Sequence, residues 1–114
     1  MYQGTTPAVS YEIKGYDLSD ATIFVSFKRG NDVLTKTNGA VIAAYDQDSD
    51  ISTIICQLTQ EETLAIRSGG VQTQIRFIYE DGQAYATNIA SLEMKSVIYT
   101  DVIHYAGGDG GDGE

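Results

Sequence analysis

The 114-residue chain contains one cysteine, one histidine, one proline and no tryptophan, and each scarcity closes a line of chemistry. Cys56 has no second cysteine to pair with, so no intrachain disulfide forms. It lies in the apolar run ISTIICQLT, where a reduced thiol packs as a small hydrophobe. A reactive thiol needs an electropositive, partly open setting instead. Any triad, metal triplet or general-base pair that requires histidine must pass through His104, and nothing in the pattern sets an activated Ser or Cys beside it. With one His and one Cys, a structural zinc site would have to borrow ligands from another chain. Basic residues are scarce too: seven against sixteen acidic ones, a formal charge of -9. Such a surface repels phosphate backbones and gains nothing from an anionic leaflet, so neither nucleic acid nor membrane is an expected partner. The opening MYQGTTPAVSYEIKG has no basic region followed by an apolar one, and no apolar run approaches ~18 residues. The expectation is a protein made and folded in the cytoplasm.

Carboxylates are the remaining candidates for chemistry. Asp46, Asp48 and Asp50 alternate like the start of a calcium loop, but the places that need Gly and Glu hold Ile51 and Gln57. They read as a solvated acidic loop. The stretch GGDGGD at 107–112 matches one copy of a calcium-binding nonapeptide core, an arrangement that works by stacking successive copies. Here it reads as part of a flexible acidic Gly/Asp tail over 106–114. Glycine-rich phosphate loops are missing. The inventory therefore predicts no catalytic residue, no cofactor and no resident metal.

What the sequence does contain is period-two alternation. Val9, Tyr11 and Ile13 alternate with Ser10, Glu12 and Lys14, the pattern of a strand buried on one face. Ile23, Val25 and Phe27 form another such row, with Phe24 on the opposite face; Ile54, Cys56 and Leu58 form a third. Val71, Thr73, Ile75, Phe77 and Tyr79 alternate against Gln72, Gln74 and Arg76. Gly30-Asn31, Asn38-Gly39 and Asp81-Gly82 sit between runs where tight hairpins need tolerance of positive φ, and after the last of them QAYATNIASLEMK reads as the returning partner strand. The single helix signal is LTQEETLAIRSGG, where Thr59 followed by Glu62 forms a capping box and Gly69 and Gly70 stop the helix. No crossover helix is long enough for a parallel sheet. The prediction is all-β: one antiparallel β-sandwich, Ig-like or related, over residues 8–105, with six to eight strands and a short helical corner around residues 60–66. An N-terminal arm, 1–7, precedes it. The segment SVIYTDVIHYA at 96–106 reads equally as a last strand or a short docked helix.

The eight tyrosines are the unusual feature of composition. Tyrosine gives large contact area at low rotamer cost and is enriched at interfaces. Terminal elements have few neighbours to cover them, so Tyr2, Pro7, Tyr99, Val102, Ile103 and Tyr105 are the candidate interface residues.

The opening MYQGTTPAVSYEIKGYDLSDATIFVSFKRGNDVLTK and the later LTQEETLAIRSGGVQTQIRFIYEDGQAYATNI carry a family resemblance. They resemble small structural proteins from the virion-assembly regions of phages and prophages of Gram-positive bacteria. The LTQEETL corner leading into Val71-Gln72-Thr73-Gln74-Ile75-Arg76 is the most specific part. More loosely, the pattern is similar to the N-terminal β-sandwich of phage upper-baseplate proteins, although the long helical linker that follows that domain is missing. The resemblance implies a non-enzymatic virion component of the tail, baseplate or head, working through contacts with other phage structural proteins in a homo-oligomer or lattice. An alternative from the residues is a free β-sandwich module that recognises a host-surface carbohydrate or protein through its tyrosines.

Overall fold

A computed structural model describes residues 1–105; the Gly/Asp tail, and with it the reading of GGDGGD, lies outside the described residues. The described residues are all-β and antiparallel, with eight strands in two sheets and one short helix. The strands are β1 (Ala8–Lys14), β2 (Thr22–Arg29), β3 (Asp32–Lys36), β4 (Val41–Asp46), β5 (Ile51–Gln57), β6 (Gly69–Ile78), β7 (Ala84–Ala86) and β8 (Ala90–Met94). The helix α1 (Gln60–Ala65) lies between β5 and β6. One sheet has the order β1-β5-β4; the other runs β3-β2-β6, with β7 and β8 both pairing with β6.

Alternation decides which side chains meet between the sheets. In the small sheet, Val9 and Val41 both oppose Cys56, and Tyr11 and Ala43 both oppose Ile54, so these residues share the inner face. In the larger sheet, Ile23 opposes Phe77, Val25 opposes Ile75 and Phe27 opposes Thr73. Ile54, Cys56, Val25 and Phe27 are shut off from solvent completely. Burying a side chain the size of Phe27 contributes about 1.5–3 kcal/mol. The inner faces are tied by a polar bond as well: the hydroxyls of Tyr11 and Thr73 lie 2.6 Å apart.

The turns follow the same local logic. Gly30, Asn38, Gly39 and Gly82 all adopt positive φ, as the hairpin dipeptides require. Thr59 caps α1 by accepting from the Glu62 amide, while the Glu62 carboxylate accepts from the Thr59 amide at 2.8 Å. The helix ends differently from the sequence expectation. Ile66 leaves it in an extended conformation, and its carbonyl accepts from the Gln3 side chain at 2.8 Å. Gly69 and Gly70 are not the stop; they open β6. Gly69 has φ +123, and a Cβ there would sit 2.8 Å from Arg29 Nε, the group that donates to the Ser68 carbonyl.

Two further elements differ from their sequence reading. The single return strand expected over QAYATNIASLEMK is split into β7 and β8 around Thr87. The Ile75 amide donates to the Thr87 hydroxyl at 3.1 Å, and the Thr87 amide to the Ile75 carbonyl at 2.9 Å. A side chain thus takes one backbone place in the ladder, which then resumes at Ala90. Residues 96–105 form neither a strand nor a helix; they run without regular structure over the surface. The last strand therefore ends at Met94.

Chain direction sorts the loops. β1, β4 and β6 finish, and β2, β5 and β7 begin, at one end of the sandwich. Helix α1, the β2–β3 hairpin and the start of β6 occupy the opposite end.

Candidate interaction surfaces

The two terminal segments meet at the α1 end. The N-terminal arm pairs with its own domain: Tyr2 bridges Lys95 in parallel, the Gln3 amide donates to the Lys95 carbonyl at 2.9 Å, and the Lys95 amide donates to the Met1 carbonyl at 2.7 Å. Pro7 is half-buried, and its carbonyl accepts from the Leu58 amide. The arm's backbone is thus largely spent inside the molecule. What it leaves outside is the Tyr2 ring, half-exposed, with Lys95 Nζ 5.5 Å from its centroid.

The segment after Lys95 is the reverse case, with little backbone pairing and much apolar surface. Ile98 is fully exposed, Tyr99 is 65% exposed, Ile103 58% and Tyr105 93%, while Val102 is half-buried. Among the described residues, a side chain of α1 anchors the segment. The Gln60 side chain of α1 donates to the Ile103 carbonyl at 2.8 Å and accepts from the Ile103 amide at 2.7 Å, forming a two-point clamp like a strand pair. Of the six candidate interface residues, the structure brings Tyr2 and the 99–105 group to the same end of the domain and turns Pro7 toward the interior.

The groups weighed for chemistry stand apart. Cys56 is sealed in the core, and burial pushes its thiol up to about 11. It is therefore protonated near neutrality. His104 is exposed, and among the described residues no hydrogen bond fixes it. Asp46 and Asp50 serve their own turn: Asp46 accepts from the Asp48 amide at 3.0 Å, and Asp50 accepts from the Tyr45 hydroxyl at 2.6 Å. That bond, with the charges of Asp50, Asp17 and Asp46 behind it, pushes the Tyr45 phenol up to about 12. Among the described residues no group of three His, Cys, Asp or Glu side chains is placed to hold a metal ion, and no helix is long and apolar enough to cross a membrane.

The sequence pattern does not single out the loop end of the sandwich. Phe77, Tyr79, Tyr16 and Tyr85 cluster there with ring centroids 5.1–6.1 Å apart, drawn from β6, its following turn, the β1–β2 loop and β7. Tyr16 and Tyr85 remain 37% and 38% exposed. An open cleft of about 770 Å³ adjoins Tyr79, lined also by Asp20, Thr22, Ile78, Glu80 and Asp81. The signal was available as three tyrosines flanking two acidic turns, but their convergence depends on the pairing of distant strands.

These features define a class: an antiparallel β-sandwich whose distinctive surfaces are apolar and aromatic. No protein-family model and no curated protein matches the chain. Among solved structures it is similar to one described as a "putative glycoside hydrolase" from Bacteroides vulgatus, at 9% identity and a TM-score of 0.47. The match covers 84% of this chain but only 16% of that one, a likeness too loose to carry an argument about activity.

Proposed function

We propose that this chain is a non-enzymatic structural protein of a phage virion, in the tail, baseplate or head, and that it works by protein–protein contact. On this reading it is made in the bacterial host cytoplasm and joins other phage structural proteins, or further copies of itself, in a ring or lattice. The resemblance carried by the LTQEETL corner and the strand after it supplies the setting. The observation that carries the contact mechanism is the exposed apolar segment containing Ile98, Tyr99, Ile103 and Tyr105. Contiguous apolar surface on a soluble domain marks an interaction site, and an extended segment can add main-chain hydrogen bonds to a neighbour's sheet edge. Gln60 already presents Ile103 in paired form at one point, leaving its neighbours for a partner to cover.

The test is the double substitution Tyr99→Ala with Ile103→Asp in phage particles and in the purified chain. Both side chains are exposed, so the isolated domain keeps its melting temperature. The expected result is a folded protein that no longer enters particles. Normal incorporation with impaired adsorption to host cells would refute the assembly reading and favour a free binding module.

A further inference from the structure

The loop end of the sandwich, opposite α1 and the C-terminal segment, joins two features that a structural cap does not require. The first is the aromatic surface. Phe77 is buried, and Tyr79 is fixed by its hydroxyl, which donates to the Asp17 carbonyl at 3.0 Å. Tyr16 and Tyr85, 5.1 Å apart, cover these two and still leave more than a third of each side chain in water. The second is the charge around the rings. The β1–β2 loop, the β4–β5 turn and the β6–β7 turn meet here, joined by the Tyr79 bond and by the Gly15 amide donating to the Asp50 carbonyl at 2.8 Å. With Asp46 at the end of β4 they carry Asp17, Asp20, Asp46, Asp48, Asp50, Glu80 and Asp81, seven of the chain's sixteen acidic residues, against one cation, Lys14, at the end of β1 opposite Ile51. Both salt bridges among the described residues, Lys36–Glu62 and Arg67–Asp32, lie at the other end. The field reaches the rings: after burial, the charges of Asp17 and Asp81 are among the causes that hold the Tyr79 phenol above its ordinary value.

We propose that this aromatic end is a docking surface for an arginine-bearing segment of a different protein. A guanidinium stacks on the exposed faces of Tyr16 and Tyr85 and finds carboxylates on the surrounding turns, matching ring face and charge at once. The arrangement disfavours two other occupants. The carboxylates are too dispersed to ligate a metal ion, since no three acidic groups among the described residues come together. A second copy is a poor fit because the chain carries -9, and at the opposite end Arg67 pairs with Asp32 while Arg29 is bonded to the Ser68 carbonyl. This surface is spatially separate from the assembly segment, so either proposal can fail without the other.

The test uses the full chain, isotope-labelled for NMR, titrated with an acetylated hexa-arginine amide and with the hexa-lysine peptide of equal length. The expected result is amide shifts confined to 15–21, 46–50 and 76–86, with the arginine peptide bound at least ~3-fold more tightly. Tyr85→Ala should remove that preference. Tyr85→Leu, which keeps apolar bulk without a ring face, should do the same and guards against a folding defect in the first variant. Asp20→Asn with Asp81→Asn should weaken both peptides, while Glu12→Gln with Glu93→Gln on other surfaces should leave affinity within ~2-fold, as screened remote charges do. Shifts spread over the whole acidic surface would overturn the proposal. So would equal affinities that survive Tyr85→Leu, or sedimentation showing that this end pairs copies of the chain.

Discussion

Ser52→Ala tests how the loop end is built. Ser52 lies on the inner face of β5 with no solvent exposure, and its hydroxyl makes two backbone bonds. It donates to the Tyr16 carbonyl at 2.7 Å and accepts from the Leu18 amide at 3.0 Å, pinning the β1–β2 loop to the opposite strand. Leu18 is fully buried, so after truncation water cannot reach its amide, and a buried unsatisfied donor costs about 1–3 kcal/mol. The Tyr16 carbonyl is nearer solvent and forfeits only the net value of a hydrogen bond, about 1 kcal/mol. The two effects together give a loss of about 2–4 kcal/mol. For a domain of this size a melting-temperature drop of at least ~8 °C follows. Differential scanning calorimetry measures that drop, and urea unfolding should show a lower midpoint at unchanged slope. Hydrogen exchange adds the local readout: the Leu18 amide should lose more protection than the Ile54 amide in the middle of β5. A drop below ~3 °C with Leu18 still protected would mean that the loop is held by packing alone, and the hydrogen-bond reasoning would be refuted.

Thr59→Ala removes one half of the capping box and should cost about 1 kcal/mol, read as a lower urea midpoint. Tyr11→Phe deletes the bond to Thr73 across the sandwich and leaves that buried hydroxyl without its partner, for a loss of about 1–2 kcal/mol. The same tyrosine sets an alkaline limit. Burial is the first cause raising its phenol above the ordinary 10.0, so the folded state keeps a proton that the unfolded state releases. Its contribution is therefore fully present below pH 10 and falls away as pH rises through the folded pKa. Unfolding midpoints measured from pH 8 to 11 should decline at the upper end in the wild-type chain and decline less in Tyr11→Phe. Glu62 gives the acid counterpart. Its burial opposes ionisation, but hydrogen bonds from Lys36 and Thr59 outweigh that and lower its pKa. Its contribution is present above the unfolded carboxylate value and is lost as pH falls through the folded one, so Glu62→Gln should flatten the acid limb of the same curve.

Period-two patterning carried most of the fold because it records burial directly. Every residue in the rows Ile23/Val25/Phe27 and Ile54/Cys56/Leu58 is in the core, and Asn38-Gly39 and Asp81-Gly82 turn where their positive φ is needed. The misreadings share one cause: a side chain acted where a local rule expects backbone. Thr87 replaces a carbonyl in the β6 ladder, so one expected strand becomes two. Gln3, 63 residues away, caps the carbonyl of Ile66, so the helix needs no glycine to stop. Gln60 clamps Ile103 across 43 residues, so an apolar segment stays on the surface without joining a sheet. None of these partners is near in sequence, and no periodicity encodes them.

The same distinction explains why the terminal tyrosines were legible as surface candidates while Tyr16, Tyr79 and Tyr85 were not. Tyr99 and Tyr105 follow the last strand, β8, where no sheet neighbour covers them, so their exposure follows from position. Exposure at Tyr16 and Tyr85 depends on how far β7 extends beside β6, and β7 is only three residues long. A longer β7 would set further side chains on the same face beside Tyr85 and cover more of its ring. Its brevity, set by the Asp81-Gly82 turn on one side and the Thr87 break on the other, leaves the aromatic faces open. The loop end thus owes its open aromatic surface to two polar side chains, Asp81 and Thr87, that end strand pairing early. Changing Thr87 to valine, which keeps the shape but removes the hydroxyl acceptor for the Ile75 amide, should therefore alter exchange at Ile75 and the environment of Tyr85 together. If Ile75 alone responds, the strand break and the aromatic surface are independent.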